Sequence, residues 1–263
     1  MLKELIMYSF KESNYLKKVL DKKNRTTNQA CMRYLFLLLI ISLNSCNHKK
    51  ETTKVTEELP EVQSNISPEL LQEMQWMNPP TAFELVENTL SISVEKDTDF
   101  FNNPEDGSVV GTAPLLYQEV EGDFVAKVWV KPDFSSQWNA VSMMIHQDSL
   151  HWIKFAFESS DATGPSIVSV VTKESSDDAN GAVLNDQESI WLAIARKGDI
   201  YAMHWSMDGI NYNMTRLTAM PAMTQVKVGV EAQSPVGEQA THQLLFFEIE
   251  KRTVANMRDL NEK

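Results

Sequence analysis

From Trp76 onward the chain runs in short stretches of alternating apolar and polar residues, with no helical stretch of comparable length. The runs are Phe83–Val86, Thr89–Val94, Leu115–Val120, Phe124–Val130, Ala140–Gln147, His151–Glu158, Ser166–Thr172, Ser189–Arg196, Ile200–Ser206, Asn211–Leu217, Gln225–Ala232 and Gln243–Lys251. A period of two marks half-buried strands. The breaks between them carry turn chemistry at Glu121-Gly-Asp123, Lys131-Pro-Asp133, Lys197-Gly-Asp199 and Met207-Asp-Gly209. About a dozen antiparallel strands at this spacing predict an all-β fold, a two-sheet antiparallel β-sandwich of jelly-roll type.

The stretch His151–Glu158 is the most informative of these strands. Its alternation sets Ile153, Phe155 and Phe157 on a core face, and Trp152, Lys154, Ala156 and Glu158 on the other. An indole, an ammonium and a carboxylate beside a small residue are the makings of a polar ligand site, with Trp152 as a stacking platform. Similar one-apolar, one-mixed faces recur. Phe124, Ala126, Val128 and Val130 oppose Val125, Lys127 and Trp129. Val141, Met143 and Ile145 oppose Ser142, Met144 and His146. The valines of 226–230 oppose Lys227, Gly229 and Glu231.

The N-terminal part follows different rules. Arg33 followed by the apolar Tyr34–Leu43 has the length and order of a signal peptide and is too short to span a bilayer permanently. Leu43-Asn-Ser-Cys46 then resembles a bacterial lipobox, with Cys46 as the lipidated residue and Asn44 where a small or β-branched side chain is usual. An ordinary cleaved signal that contains a cysteine is the alternative. Residues 1–31, with seven Lys/Arg, would bury this signal far from the start, so Met32 is expected to be the true first residue; a cytoplasmic extension before a signal anchor is the rival. The expected organisation is thus an upstream extension over 1–31, a lipoprotein signal over 32–46, a flexible linker over 47–73, the sandwich over 74–251 and a polar tail over 252–263. Pro68–Met74 adds at most one helical turn.

Charge narrows the partners. The whole chain carries 24 basic and 36 acidic residues; eight and three of these lie in residues 1–45, leaving 16 against 33, a net charge of −17. Such a surface repels phosphate backbones, which argues against nucleic acid. Besides Cys46 the sole cysteine is Cys31, so the exported domain has neither disulfide nor thiolate chemistry.

Several segments, in order, carry a resemblance: Trp76-Met-Asn-Pro-Pro80, Leu90-Ser-Ile92, Asp97-Thr-Asp-Phe-Phe101, Gly122-Asp-Phe124, Trp152-Ile-Lys154 with Glu158, Trp191–Arg196, Ser206-Met-Asp-Gly209 and Val228–Pro235. Together they resemble the uncharacterised bacterial "regulation of enolase protein 1-like" domain family of the concanavalin A-like lectin/glucanase superfamily, which is similar to the C-terminal sandwich of β-xylosidase-type glycosidases. The resemblance covers roughly Trp76 to Lys251. It implies a concanavalin A-like jelly roll and, by superfamily analogy, sugar contact on the concave sheet; a shared fold does not transmit a function.

Glucanases of that superfamily carry Glu-x-Asp-x-x-Glu on one strand. Here Glu95-Lys-Asp-Thr-Asp-Phe100 ends in Phe100, so the motif is broken. Glu158 and Glu231 could meet across neighbouring strands as a carboxylate pair; hydrolysis needs separations of about 5–9.5 Å, and salt bridges or solvent are the plainer expectation. His146, His151, His204 and His242 follow no zinc-ligand spacing. Asp97, Asp99, Glu105 and Asp106 form a weak Ca²⁺ candidate against a solvated acidic loop. Trp129, Trp138, Trp152 and Trp205 offer faces that stack on pyranose rings, with His146, Lys154, Glu158 and Glu231 supplying polar contacts; Trp76 and Trp191 read as core. The residues therefore favour a lipid-anchored, non-catalytic carbohydrate-binding module of a bacterial envelope. A glycoside-active enzyme using Glu158 and Glu231, and a structural envelope protein without a sugar ligand, are the alternatives.

Overall fold

The alternating runs pair into two sheets that bury their apolar faces against each other. The computed structural model describes residues 63–261, so the expected upstream extension, the signal with Cys46 and most of the linker lie outside the described residues. One helical turn, α1 (Pro68–Gln72), precedes sixteen strands. These are β1 (Gln75–Met77), β2 (Ala82–Val86), β3 (Thr89–Val94), β4 (Phe100–Asn102), β5 (Val109–Gly111), β6 (Leu115–Glu121), β7 (Phe124–Lys131) and β8 (Ala140–Asp148). They continue with β9 (His151–Ser160), β10 (Gly164–Lys173), β11 (Ser175–Val183), β12 (Ile190–Lys197), β13 (Ile200–Ser206), β14 (Asn213–Ala219), β15 (Gln225–Gln233) and β16 (Ala240–Glu250). One seven-stranded antiparallel sheet runs β1-β6-β15-β8-β9-β10-β11, and the other runs β14-β13-β12-β7-β16-β3-β2. A separate hairpin joins β4 to β5.

All twelve expected runs are strands, with boundaries shifted by at most a few residues. Four further strands carry little sequence signal. Two of them form the three-residue β4–β5 hairpin and one is the short edge strand β1. The fourth, β11, reads Ser-Ser-Asp-Asp-Ala-Asn-Gly-Ala-Val, a composition depleted in strand formers; it exists because β10 offers it a ladder that runs unbroken from Val168↔Asn180 to Lys173↔Ser175 and resumes past a register shift at Ser166↔Val183.

The central core takes Val141, Met143, Ile145, Ile153, Phe155, Phe157, Val228 and Val230 from the first sheet, and Phe124, Val128, Leu192, Met203 and Leu244 from the second. In β15 the closeness of neighbouring backbone dictates Gly229, where a Cβ would stand 2.1 Å from the Leu116 carbonyl oxygen.

Both outer faces are partly covered. The β4–β5 hairpin lies on the first sheet and builds a second cluster of Phe100, Leu115, Tyr117, Met144, Trp152, Ala156, Val168 and Val170. Strand β9 is therefore buried on both faces, which explains why its supposedly open face is not open. On the second sheet the stretch 252–261, expected as a polar tail outside the core, is irregular and packs Val254, Met257 and Leu260 against Val125, Ala195, Trp191 and Tyr212. Reciprocal hydrogen bonds hold it: Tyr212 N donates to Asn261 Oδ1 at 2.7 Å, and Asn261 Nδ2 donates to the Tyr212 carbonyl at 3.1 Å.

The chain before β1 also belongs to the folded body. Asn65 exchanges side-chain hydrogen bonds with the backbone of Phe247, at 3.0 and 2.9 Å. Ser67 caps α1, accepting from Leu70 N at 3.2 Å, and Ile66 is fully buried in the central core. Packing thus extends ahead of the expected boundary at residue 74. Ile66→Ala should cost about 2–5 kcal/mol of unfolding free energy in urea titration, the range for an aliphatic core truncation. A loss under about 0.5 kcal/mol would mean that this segment is not part of the core.

Candidate functional site

The outward face of the first sheet is built by register. On β15, β8, β9 and β10 the positions Glu231, Ser142, Ala156 and Val168 lie in one row, and Gln233, Ala140, Glu158 and Ser166 in the next. Ala140, Ser142 and Ala156 are small, which leaves room for the side chain of Lys154 to reach across β8 to β15. Its ammonium donates to Gln233 Oε1 and to Asp99 Oδ1, each at 2.7 Å. Lys154 is only 2% exposed. Burial works against its charge, but Asp99, Glu231 and Glu158 outweigh burial and hold its pKa above the usual lysine value.

Each partner of Lys154 is itself fixed. Asp99 Oδ1 also accepts from Phe100 N at 2.7 Å, and the Asp99 carbonyl accepts from Thr112 N at 2.8 Å, which ties it to the end of the β4–β5 hairpin. Thr98 Oγ1 accepts from Ser234 N at 2.8 Å, pinning the segment to the end of β15. Gln233 Nε2 donates to the Trp138 carbonyl at 2.8 Å. Trp138 has φ 61°, a left-handed backbone that a bulky residue rarely adopts. Its N–H donates to Ser159 O at 2.7 Å, so the conformation is held from both sides. Behind Gln233, His242 accepts from Asp133 N on Nδ1 at 3.1 Å and stands 3.1 Å from the Gln233 carbonyl on Nε2, which makes Nε2 the protonated nitrogen. Burial lowers its pKa to about 4.

Above this network opens a pocket of about 340 Å³ lined by Asp99, Phe101, Asn103, Trp138, Lys154, Glu158, Asp161, Val168, Val170, Asp178 and Gln233. A smaller pocket of about 210 Å³, lined by Met77, Phe100, Val109, Val110, Gly111, His146, Ser149 and Trp152, lies under the same hairpin. Phe100 packs edge-on to both Trp152 and His146 there, with centroids 6.0 Å apart in each case. Burial, helped by the charge of Lys227, lowers the His146 pKa to about 4.

The expected site residues divide accordingly. Trp138, Lys154 and Glu158 line the larger pocket. Trp152 is 1% exposed and sits in the cluster beneath the hairpin, so it cannot present a stacking face. Glu231 is fully buried next to Lys154 and not in the pocket wall, so it does not face Glu158 across a cleft. Trp129 and Trp205 belong to the other sheet. Trp129 stacks on Trp191 at 5.4 Å and Trp205 packs against the central core. Asp97 has φ 61° at a turn and Asp99 is committed to Lys154. Among the described residues no group of three or more His, Cys, Asp or Glu side chains converges on a metal position. Phe101, Asn103, Asp161, Asp178 and Gln233 join the pocket from segments far apart in sequence, and only the fold brings them together.

Two carboxyls here hold their protons unusually tightly. Burial raises Glu158 to about 7, with Lys154 opposing and Asp99, Asp178 and Asp161 reinforcing. Burial raises Glu231 to about 8, opposed by Lys154 and by the nearby Ser142 hydroxyl; among the described residues neither of its oxygens makes a well-formed hydrogen bond.

Residues 76–252 match a family described as protein of unknown function, DUF1349, so the resemblance read from the residues holds at family level. The chain is 24% identical to "Regulation of enolase protein 1" of Saccharomyces cerevisiae over 165 residues, covering 63% of this chain and 83% of that protein. A crystal structure of a functionally unknown protein from Saccharomyces cerevisiae is similar, with a TM-score of 0.65 and 22% identity over 70% of this chain and 99% of that one. A mutant of the GH43 protein BlXynB from Bacillus licheniformis gives a TM-score of 0.55 and 12% identity, over 72% of this chain and 38% of that one. At these identities the likenesses show the sandwich fold and nothing of the ligand.

The raised carboxyls set a pH dependence. Where a folded-state carboxyl keeps a proton that the unfolded chain has lost, stability falls as pH rises from the ordinary glutamate value near 4.5 towards 7 for Glu158 and 8 for Glu231. The buried histidines have the opposite slope, from about 4 to 6.5. A net decline in melting temperature is therefore expected between pH 6.5 and 8. Glu231→Gln should remove about 4 °C or more of that decline. An unchanged slope in the variant, measured by thermal unfolding across this range, would show that Glu231 is ionised throughout.

Proposed function

The chain belongs to the DUF1349 family of proteins of unknown function, and we propose that it is a carbohydrate-binding module that recognises a glycan without cleaving it. One observation carries this reading. In a single pocket, the half-buried rings of Trp138 and Phe101 stand beside the hydrogen-bonded polar groups of Lys154, Asp99 and Gln233 and the carboxyl of Glu158. A flat apolar wall next to fixed donors and acceptors matches a pyranose, whose faces are apolar and whose rim is hydroxyl. Ring stacking would fall to Trp138, and hydroxyl contacts to Glu158 and the free lone pairs of Asp99. The burial of Glu231 supports recognition over hydrolysis, because a second carboxylate positioned as expected would have to reach the pocket.

We place the sandwich in the concanavalin A-like superfamily and the protein in a bacterial envelope, held to a membrane through lipid on Cys46. The order of Arg33, the apolar run and Leu43-Asn-Ser-Cys46 supports that location. Expressed in a bacterial host with a radiolabelled fatty acid, the protein should take up label that Cys46→Ser abolishes. A protein that stays unlabelled in the membrane with its signal uncleaved would favour a signal anchor instead.

The binding reading is tested by a glycan-array screen of the full chain, with Trp138→Ala and Trp129→Ala in parallel. The first variant should lose at least about tenfold in affinity, 1.4 kcal/mol or more, and the second should bind normally. Absence of any retained glycan from a chain shown to be folded would sink the proposal. Sugar release on long incubation, stopped by Glu158→Gln, would move the protein to the enzymes.

A further inference from the structure

The larger pocket is not electrically balanced. Asp99, Glu158, Asp161 and Asp178 line it against a single cation, Lys154, and that ammonium already satisfies Asp99 at 2.7 Å and Gln233 at 2.7 Å. An anionic sugar would find no free positive charge among the lining residues. Glu158 is the opposite case. It is only 8% exposed, it lines the pocket, and among the described residues its carboxyl has no hydrogen-bond or ion-pair partner. A carboxylate so far removed from water and left without a partner is costly, and an incoming donor removes that cost. Asp161 and Asp178 are exposed at the rim, where they add negative potential on the path to Glu158. Trp138 and Phe101 offer ring faces on which a cation also rests well.

We propose that the ligand of this pocket carries a free primary ammonium beside its ring hydroxyls, as a hexosamine with an unacylated nitrogen does, and that the ammonium donates to Glu158 between Asp161 and Asp178. This rests on the carbohydrate reading and names the class of sugar. An acylated nitrogen would bring one N–H, no charge and a carbonyl oxygen, and that oxygen would face the rim carboxylates of Asp161 and Asp178, which offer no donor. The ammonium brings three donors and a charge that the acidic walls neutralise.

A second signature follows from the groups that face Glu158. Lys154 stands on its own strand, Asp99 approaches from before β4, Asp178 from β11 and Asp161 from the β9–β10 turn. With burial foremost, they leave the empty-site carboxyl with a pKa of about 7. A cation seated against it pulls that value down, so binding near pH 5.5, where the sugar amine is already charged and this carboxyl still holds its proton, releases a proton.

Titration calorimetry of the full chain near pH 5.5 tests this, in two buffers of different ionisation enthalpy. The probes are an oligomer of glucosamine, the matching oligomers of N-acetylglucosamine and glucose, and a simple alkylamine. The glucosamine oligomer should bind at least about tenfold more tightly than the other three, as one charge-assisted hydrogen bond implies, and with proton release. Glu158→Gln, of nearly the same shape, should abolish both the preference and the proton release. Asp178→Asn, an exposed change that leaves the core intact, should weaken glucosamine binding by a smaller factor that grows at low salt; it serves also if Glu158→Gln does not fold. Equal binding of the glucosamine and acetylated oligomers would overturn the ammonium inference and leave the glycan reading standing. Alkylamine binding as tight as that of glucosamine would overturn both, as would no binding by a folded chain.

Discussion

A buried ammonium needs compensation wherever it sits, and the arrangement around Lys154 is shaped by that need. Removing one charge from water costs several kcal/mol in a real protein, and two oxygens at 2.7 Å meet the cost here. Each supplier sits on a different part of the chain. Asp99 reaches Lys154 because the turn before β4 is tied to both the hairpin and the end of β15. The Gln233 amide can present its oxygen because its nitrogen is held by the Trp138 carbonyl. That bond, with the one from Trp138 N to Ser159 O, sustains a left-handed tryptophan. One charge thus fixes the position of the pocket's aromatic wall. Its contribution is to specify one arrangement; it does little to add net stability.

The two carboxyls of the same sheet face show how position alone separates roles. Glu158 and Glu231 lie on β9 and β15, in adjacent rows of one face. Both feel Lys154, and burial raises both. Glu158 nevertheless touches the pocket, while Glu231 is fully buried and absent from its lining. The first can meet a ligand; the second can only tune the field around the ammonium.

Much of the fold was legible because period-two alternation is a property of sequence itself, and strands such as β7, β9 and β15 carry it cleanly. Strand β11 was not legible. Its Asp, Asn and Gly residues disfavour extended structure locally, and only the exposed ladder of β10 makes a strand of them. The β4–β5 hairpin was missed for a similar reason, since three residues are too few to show a period. Missing the hairpin had a direct consequence for the site. The face of Trp152, Lys154 and Glu158 was correctly grouped, but the cover that buries the indole and creates the two pockets was not foreseen. Trp138, Lys154 and Glu158 were recognisable from residue type. Asp161, Asp178 and Gln233 were not, because ordinary polar residues become pocket walls only through contacts distant in sequence. Phe100 had an informative sign: it stands where a glucanase motif would place a carboxylate, and it proves to be the aromatic plug between Trp152 and His146.

The short stretch before α1 bears on how the domain carries mechanical load. Asn65 is stitched to the backbone of β16, and Ile66 N donates to the Asn88 carbonyl at 3.1 Å at the β2–β3 turn. Both attachments belong to the sheet opposite the pocket. Tension arriving along the chain from residues ahead of Asn65 therefore enters through β16 and the β2–β3 turn. The Lys154 network lies in the other sheet, across the central core, and is not in series with that load. Shear that strips residues 65–67 from their seat could be absorbed there first, leaving the pocket's geometry intact under pull.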